Sequence, residues 1–379
     1  MYEIAVKMLL GDRAKYLGLI FGVTFATLLM SQQVSIFIGL VSRTAGVIYE
    51  VSDVDIWVMD QRVNYIEEVE PLRDVELSNV RSVQGVEWAV PFYKGLTTIR
   101  MADGLTQQVQ LIGVDYTSLI GAAKNVVMGQ VSSLQHPENG MMDTNGYAFT
   151  WPKQKLELGK EIELNDHRLK ITALSDSLST FFTFPILYVS YSKAKEILPP
   201  QRNIMSFVLV KAKDGVKSEE LAKRISEKTG LQALTQKEFA WRSINYILQR
   251  TGIPINFGIT VFLGILIGGA ITAQTFYIFI IENLKQFASM KAIGFTNSQL
   301  LRIVLLQAGM VSSIGYSFGI GLTALFFEAT ANIPAFRGFY LYWYVVMGAA
   351  VIIAFITLFS ILFSLRRVFK IDPAIVFRG

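Results

Sequence analysis

The stretch FGITVFLGILIGGAITAQTFYIFII, residues 257–281, decides the fold class because it is apolar throughout and contains no Asp, Glu, Lys or Arg. At about 1.5 Å of rise per residue, a helix of this length is roughly 37 Å long, which exceeds the ~30 Å hydrocarbon core of a bilayer. Three further runs, residues 17–41, 303–327 and 341–365, share this length and lack of charge. The sequence therefore predicts a membrane protein with four spanning helices.

Composition narrows the class further. The chain has 379 residues, of which 52% are hydrophobic and 17% are charged, a mixture that indicates spans together with a sizeable water-exposed part. There is no cysteine, which excludes disulfides and thiolate metal sites, and we interpret His136 and His167 as loop residues. The first span follows basic residues, as a signal peptide would. The span is too long for a signal peptide and no A-x-A cleavage site follows it, so we expect an uncleaved membrane anchor.

Basic residues flank the predicted spans unevenly. The segments before span one, between spans two and three, and after span four carry a net charge of +6, whereas residues 42–256 carry −1. Because Lys and Arg are enriched on the cytoplasmic side, we expect both termini and residues 282–302 to be cytoplasmic. Residues 42–256 and the short loop 328–340 are then outside. The basic pI reflects these topogenic charges rather than nucleic-acid binding.

The outer segment is long enough for a core of its own and its pattern is mixed α and β. We expect a strand in VDIWVMD, a hairpin across residues 85–115, a second hairpin turning at Asn165-Asp166, a strand in SFVLVKAKDG and a helix ending at Gly230. This indicates a β-α-β core with a β-rich lobe inserted near residues 120–200. Residues 42–51 and 238–254 would extend spans one and two outward as a paired stalk.

Small residues recur every four positions within three spans. They are Gly18, Gly22 and Ala26 in span one, Gly264 and Gly268 in span two, and Gly315 and Gly319 in span three. Such rows let helix backbones approach closely, either within one chain or across a dimer interface. Gln32, Gln33 and Gln274 are the conspicuous polar residues of the spans, and we expect them to hydrogen-bond to neighbouring helices rather than to line a path.

The sequence carries no motif for chemistry. The pattern G-x-x-x-x-G-K-[ST] of a nucleotide-binding loop is absent, as are H-E-x-x-H and G-x-S-x-G. The four spans contain no ionisable Asp, Glu, Lys or Arg, which argues against an ion-coupled transporter. We therefore expect a non-catalytic subunit that needs energy from a partner, with no cofactor and no metal of its own.

The segment ENLKQFASMKAIGFTNSQL, residues 282–300, separates spans two and three. Leu284, Phe287, Ala288 and Lys291 follow the helical spacing, and Gly294 suits a helix C-cap. A new helix is expected to begin near Asn297 or Ser298. The spacing thus predicts a short amphipathic helix, which either lies in the lipid interface or docks on a partner.

This segment resembles the signature of FtsX-like permeases of ABC transporters. Ala288, Lys291, Ala292, Gly294, Gln299 and Leu300 match the family pattern, whereas Phe287 stands where glutamate is common and Phe295 where a small residue is common. The closing RRVFKIDPAIVFRG resembles the family's tail motif through Asp372, Pro373, Ala374 and Arg378. One outer domain after span one, followed by three spans, resembles the MacB-type arrangement.

The resemblance implies a permease subunit that couples ATP hydrolysis on a separate ATPase, which holds ATP and Mg, to movement of a substrate outside the membrane. It also implies a second permease chain, a bacterial inner-membrane location and possible assembly with a periplasmic adaptor and an outer-membrane channel. The residues implied in ATPase coupling are Glu282, Lys285, Phe287, Ala288, Met290, Lys291, Ala292, Ile293, Gly294 and Phe295. Among these, Phe287, Met290 and Ile293 are expected to present the docking surface.

Within the family the chain resembles stand-alone permeases, either DevC-like exporter subunits or Lol-type lipoprotein-release permeases. A division regulator of FtsX type that controls a cell-wall hydrolase is the alternative. The expected layout is an amphipathic helix at 1–16, span one at 17–41, a MacB-like periplasmic core domain with stalk at 42–256, span two at 257–281, a coupling helix at 282–302, span three at 303–327, an outer loop at 328–340, span four at 341–365 and a cytoplasmic tail at 366–379.

Overall fold

The computed structural model describes residues 13–177, 180–198, 205–331, 333, 336 and 338–369; for residues 13–15 and 363–369 it describes only the helical backbone. The chain divides into two units. The helical unit is drawn from Met1–Gly39, Gly252–Ala331 and Phe339–Gly379, and the α/β unit from Leu40–Thr251 and Asn332–Gly338.

The helices are, in chain order, α1 (Arg13–Thr44), α2 (Gly46–Glu50), α3 (Asp74–Arg81), α4 (Thr144–Thr150), α5 (Tyr191–Ile197), α6 (Ser218–Thr229), α7 (Gln236–Arg250), α8 (Ile253–Glu282), α9 (Leu284–Ala292), α10 (Asn297–Thr330) and α11 (Trp343–Phe369). The strands are β1 (Ile56–Met59), β2 (Val86–Met101), β3 (Thr106–Val114), β4 (Val126–Met128), β5 (Asn139–Asp143), β6 (Glu161–Leu164), β7 (His167–Ser175), β8 (Ile186–Ser190), β9 (Phe207–Ala212) and β10 (Gln232–Thr235).

Four helices of the described chain are long and apolar enough to cross a membrane: Tyr16–Thr44, Ile253–Glu282, Asn297–Thr330 and Trp343–Leu362. The first three cover the predicted spans 17–41, 257–281 and 303–327, and the fourth lies within the predicted span 341–365. The large α/β unit lies in sequence between the first and second of them, as the fold class predicted.

The strands of the α/β unit join in the order β10-β1-β9-β2-β3-β8-β5-β7-β4, and β6 pairs with both β2 and β7. The strand β2 belongs to both halves of the sheet, the half that contains β9 and the half that contains β3. Its first half pairs antiparallel with β9 and its second half pairs antiparallel with β3. The β-rich lobe therefore begins inside β2, near Tyr93, which is earlier in the chain than predicted.

Both predicted hairpins are present. The strands β2 and β3 pair from Tyr93 to Arg100, and β6 and β7 turn at Asn165 and Asp166, which both have positive φ. Positive φ at both central residues is the requirement of a type I′ turn, and Asn and Asp tolerate it best after glycine. Likewise, α6 ends with Gly230 in the left-handed conformation.

The main core of the α/β unit is built around Trp57 on β1. Its indole ring lies 5.4–5.6 Å, centroid to centroid, from the rings of Phe92, Phe207 and Phe239. The helix α7 supplies Phe239, and its N-terminus has a capping box between Thr235 and Glu238. Aromatic residues of three other elements thus converge on one buried ring.

The two segments that were expected to form a stalk pack together within the α/β unit. The Gln236 side-chain amide at the start of α7 donates to the carbonyl oxygens of Ile48 (2.8 Å), in α2, and of Val51 (3.0 Å), just after α2. Both segments also contribute buried residues to the core around Trp57. The helix α7 ends at Arg250, and α8 restarts at Ile253 with Pro254 in its first turn. Both segments therefore belong to the core of the α/β unit.

Candidate functional site

The short helix α9 follows α8 after a single residue, Asn283. The Asn283 side-chain amide donates to the carbonyl oxygen of Phe279 (2.8 Å), one turn back in α8. The Asn283 carbonyl oxygen in turn accepts from the backbone N–H of Phe287 (3.1 Å) in α9. Because Asn283 bonds to both helices, it fixes the turn between them.

The end of α9 is a Schellman motif. Gly294 has a φ of 103°, the Phe295 N–H donates to the Met290 carbonyl oxygen (3.0 Å), and the Gly294 N–H donates to that of Lys291 (3.1 Å). The predicted C-cap is confirmed. Two residues later Thr296 caps α10 through a reciprocal pair of bonds with Gln299, so the turn between the helices is defined at both ends.

One face of α9 is buried in the helical unit. Phe287 and Ala288 have no exposed surface and belong to a cluster with Phe276, Phe279 and Leu300. The expectation that Phe287 presents a docking surface is therefore wrong. The helix turns this large ring inward because it fills the space between the ends of α8 and α10.

The other face of α9 and its C-terminal turn are exposed. Lys285, Ala292, Ile293 and Gly294 are exposed, as is Glu282 at the end of α8, whereas Met290, Lys291 and Phe295 are half-buried. Ile293 is 80% exposed, the largest exposed fraction among the large hydrophobic side chains of the described residues. A large apolar side chain therefore stands in the open at the turn that ends α9.

The small-residue rows of the spans meet one another within the chain. A Cβ placed on Gly315 would lie 2.8 Å from Val23 Cβ and 3.0 Å from the Ile20 carbonyl oxygen, both on α1. Gly268 on α8 faces Ala26 on α1. The structure thus uses these rows to bring α8 and α10 against α1. Of the two possibilities that the sequence left open, packing within one chain accounts for them.

Two family models match the chain. The model of the MacB-like periplasmic core domain matches residues 16–228, which is more than half of the chain, and that of the FtsX-like permease C-terminal region matches residues 258–373. The chain belongs to the FtsX-like, MacB-type family of ABC transporter permeases. It is therefore a membrane component of an ABC transporter, and the second matched region contains α9.

Three solved structures are each similar to about half of the permease. They are the extracellular domain of the ABC-type transporter YknZ from Gram-positive bacteria (14% identity over 48% of this chain and 98% of that chain, TM-score 0.36), the periplasmic region of MacB from Actinobacillus actinomycetemcomitans (13%, 54% and 96%, 0.36) and a domain of a permease protein from Porphyromonas gingivalis (14%, 48% and 89%, 0.33). A search of curated proteins gave no match.

Hydroxyl groups join the spans of the permease, a feature that the sequence analysis missed. The hydroxyls of Ser31 and Thr323 are 2.7 Å apart and connect α1 to α10, and those of Ser312 and Thr357 are 2.7 Å apart and connect α10 to α11. The sequence points to glutamines instead, but Gln274 is exposed. The available signal was serine and threonine placed beside the small-residue rows, where backbones approach closely.

Two groups of predicted residues fall outside the described part of the permease. Asp372, Pro373 and Arg378 of the tail motif lie beyond residue 369, and the amphipathic helix at 1–16 lies mostly before residue 13. Within the described residues, no group of His, Asp and Glu is arranged to hold a metal ion.

Proposed function

We propose that α9 couples this permease to a separate ATPase subunit. The observation that carries the proposal is the contrast between the two faces of α9. Phe287 is fully buried among the ends of the neighbouring spans, whereas Ile293 is 80% exposed. A force applied to the exposed turn would reach α8 and α10 through packed side chains, because close-packed interiors transmit strain.

The surface offered to the ATPase consists, in this proposal, of the exposed residues Lys285, Ala292, Ile293 and Gly294, with Met290 and Phe295 partly accessible. The ATPase would hold ATP and Mg and would supply the energy, since this sequence contains no phosphate-binding loop. Both termini and α9 would be cytoplasmic, in agreement with the basic charge that flanks the spans.

At the other side of the membrane, the α/β unit would move substrate outside the bilayer. This agrees with spans that contain no Asp, Glu, Lys or Arg to line a polar path. We further propose that two permease chains work with two ATPase subunits in a bacterial inner membrane, and that a periplasmic adaptor and an outer-membrane channel complete an export assembly.

The test is to replace Ile293 with Asp in the full permease and to measure co-purification with its ATPase. Burying a large apolar side chain contributes about 1.5–3 kcal/mol, so its loss should weaken binding roughly ten- to a hundred-fold. Membrane levels should remain normal, because an exposed side chain contributes little to folding.

The matched control is Ile333→Asp. Ile333 is 45% exposed and lies in the connection that follows α10, at the opposite end of that helix from Ile293. This variant should keep its ATPase. An Ile293→Asp permease that also keeps its ATPase and transports normally would refute the coupling role of α9.

A further inference from the structure

A cleft of about 290 Å³ lies in the α/β unit, beside the second half of β2 and the start of β3. Across these strands Leu96 is paired with Gln110, and Lys94 with Ile112. Because side chains alternate along a strand and paired residues share a face, Lys94, Leu96 and Gln110 lie on the same face of the sheet. All three line the cleft.

The walls of the cleft are largely apolar and are held in place. Tyr65, Phe182 and Phe184 line it together with Leu96. The ring of Tyr65 stacks on Tyr246 of α7 with a centroid distance of 4.4 Å, and the centroids of Phe182 and Phe184 are 6.1 Å apart. Next to Tyr65, the Ile66 N–H donates to the Ser243 hydroxyl of α7 (3.2 Å). The cleft is therefore preformed, as ligand sites usually are.

Two buried polar groups border this apolar space. Lys94 is 2% exposed, and the partner of its ammonium group among the described residues is the Glu67 carboxylate. An ammonium has three N–H donors, so donors remain. Gln110 is also 2% exposed, and it lines the cleft beside Lys94. A molecule in the cleft can therefore accept hydrogen bonds from the remaining ammonium donors and from the amide of Gln110.

The charges of the cleft restrict the ligand. Glu67 already neutralises Lys94, so a free anion would lie close to the Glu67 carboxylate with no net positive charge to hold it, and a cation would face the ammonium group. Burial lowers the pKa of the Lys94 ammonium, and the neighbouring Glu67 opposes that shift. A neutral acceptor oxygen satisfies the remaining donors without adding charge.

We propose that this cleft binds a compact apolar molecule, or the apolar end of a larger one, through a neutral carbonyl oxygen. Lys94 and Gln110 donate to that oxygen, and Tyr65, Phe182 and Phe184 cover the apolar body. An aromatic ester and an aliphatic ester share this chemistry. The binding does not rest on the coupling role of α9, since every residue of the cleft lies in the α/β unit.

The test uses the full permease in lipid nanodiscs without its ATPase and the photoreactive aromatic ester methyl 4-benzoylbenzoate. After irradiation, the labelled peptides are located by mass spectrometry. We expect saturable labelling of peptides that contain Tyr65, Leu96, Phe182 or Phe184. An excess of methyl benzoate or of methyl hexanoate should lower this labelling about tenfold. The more effective of the two competitors distinguishes an aromatic ligand from an aliphatic one.

Two variants and a matched control make the test specific. Phe182→Ser and Gln110→Leu should each lower saturable labelling at least fivefold, the first by opening the wall and the second by removing the amide at similar size. Phe149→Ser is the control, since Phe149 is 53% exposed in the same unit, much like Phe182 at 54%, but does not line the cleft.

Each variant should unfold within a few degrees of the wild type, which excludes misfolding as the cause of lost labelling. Labelling that does not saturate, that neither ester displaces, or that Phe182→Ser and Phe149→Ser affect equally would overturn the proposal. Those results would leave the coupling role of α9 untouched.

Discussion

The helical unit and the α/β unit are packed by different side chains. In the α/β unit, large rings and branched residues converge on Trp57 and exclude water. In the helical unit, glycines and hydroxyls make the closest approaches between helices, while large side chains such as Phe262, Phe318 and Phe355 are at least 60% exposed. The difference shows that apolar side chains are driven into the interior only in the unit that is surrounded by water.

Lipid explains this contrast. Lipid tails are as apolar as Leu or Phe, so an apolar side chain gains little by leaving them for the interior of the helical unit. Close backbone contact at Gly315 and the hydroxyl bond between Ser31 and Thr323 therefore determine which faces meet. In the α/β unit, burial of apolar surface contributes about 25 cal/mol per Å² and largely determines which faces meet. The predictions below test each side of this comparison.

The largest effect should follow Phe287→Asp in the helical unit. Truncation of a buried Phe alone costs about 3–5 kcal/mol, and a buried, unpaired carboxylate adds to that loss. Because Phe287 has no exposed surface, we expect a large drop in folded protein in the membrane, measured by quantitative blotting and thermal unfolding. Ile293→Asp serves as the control and should accumulate normally. Normal levels of Phe287→Asp would show that α9 is not locked into the spans.

The next effect concerns the buried ion pair of the α/β unit. Lys94→Met leaves the Glu67 carboxylate, whose side chain is 13% exposed, without its partner, and loss of one member of a buried pair costs about 3–5 kcal/mol. The double variant Lys94→Met with Glu67→Gln should recover most of that loss. The control is Lys195→Met at the exposed Lys195–Asp74 pair, which should cost less than about 1 kcal/mol. Equal melting temperatures for Lys94→Met and Lys195→Met would contradict this reading.

A smaller effect is expected at the glycine contacts of the helical unit. Gly315→Ala places a methyl group against Val23 and the backbone of α1, and such overpacking costs about 1–3 kcal/mol. Gly321, on the same helix, has no neighbour within 4 Å of an added Cβ, so Gly321→Ala should be neutral or slightly stabilising. Thermal unfolding of both variants in nanodiscs compares them. If Gly315→Ala unfolds at the wild-type temperature, close backbone packing does not hold these spans.

The smallest effect is expected at the turn between β6 and β7. Asp166 has a φ of 67°, a conformation that glycine adopts without the steric cost of a Cβ. Asp166→Gly should therefore raise the free energy of unfolding by about 0.5–1 kcal/mol, which chemical denaturation of the full permease would detect. The control is Asp103→Gly in the neighbouring hairpin connection, where Asp103 shows no positive φ; no such gain is expected there.

Local patterns explain why much of the fold was predictable. Spans of about 25 apolar residues, the Asn165-Asp166 turn and the glycines that end α6 and α9 all act through neighbours in the sequence. The start of the inserted lobe was misplaced because β2 continues as one strand through both halves of the sheet. Nothing in a continuous strand marks the residue at which its partner changes from β9 to β3.

The two candidate sites, α9 and the cleft, also differ in how far the sequence predicts them. The amphipathic spacing of residues 282–295 predicted α9, but helical spacing alone does not say which face meets the spans, and Phe287 was assigned to the wrong one. The cleft at Lys94 and Gln110 gave no sequence signal at all. Its residues come from β2, β3 and two separate loops, and only the pairing of Leu96 with Gln110 brings them to one face.

The sequence by itself determined that this permease has four spans, a mixed α and β unit between the first two, a short helix before the third and a charge bias that predicts its orientation. These follow from solvent transfer and from steric limits on single residues, which act within a few positions. Only the tertiary structure decided that Phe287 is buried and Ile293 exposed, that hydroxyls join the spans, and that a charged pair borders an apolar cleft. Such features depend on which distant residues meet, because burial and pairing are properties of contacts and not of positions in the chain.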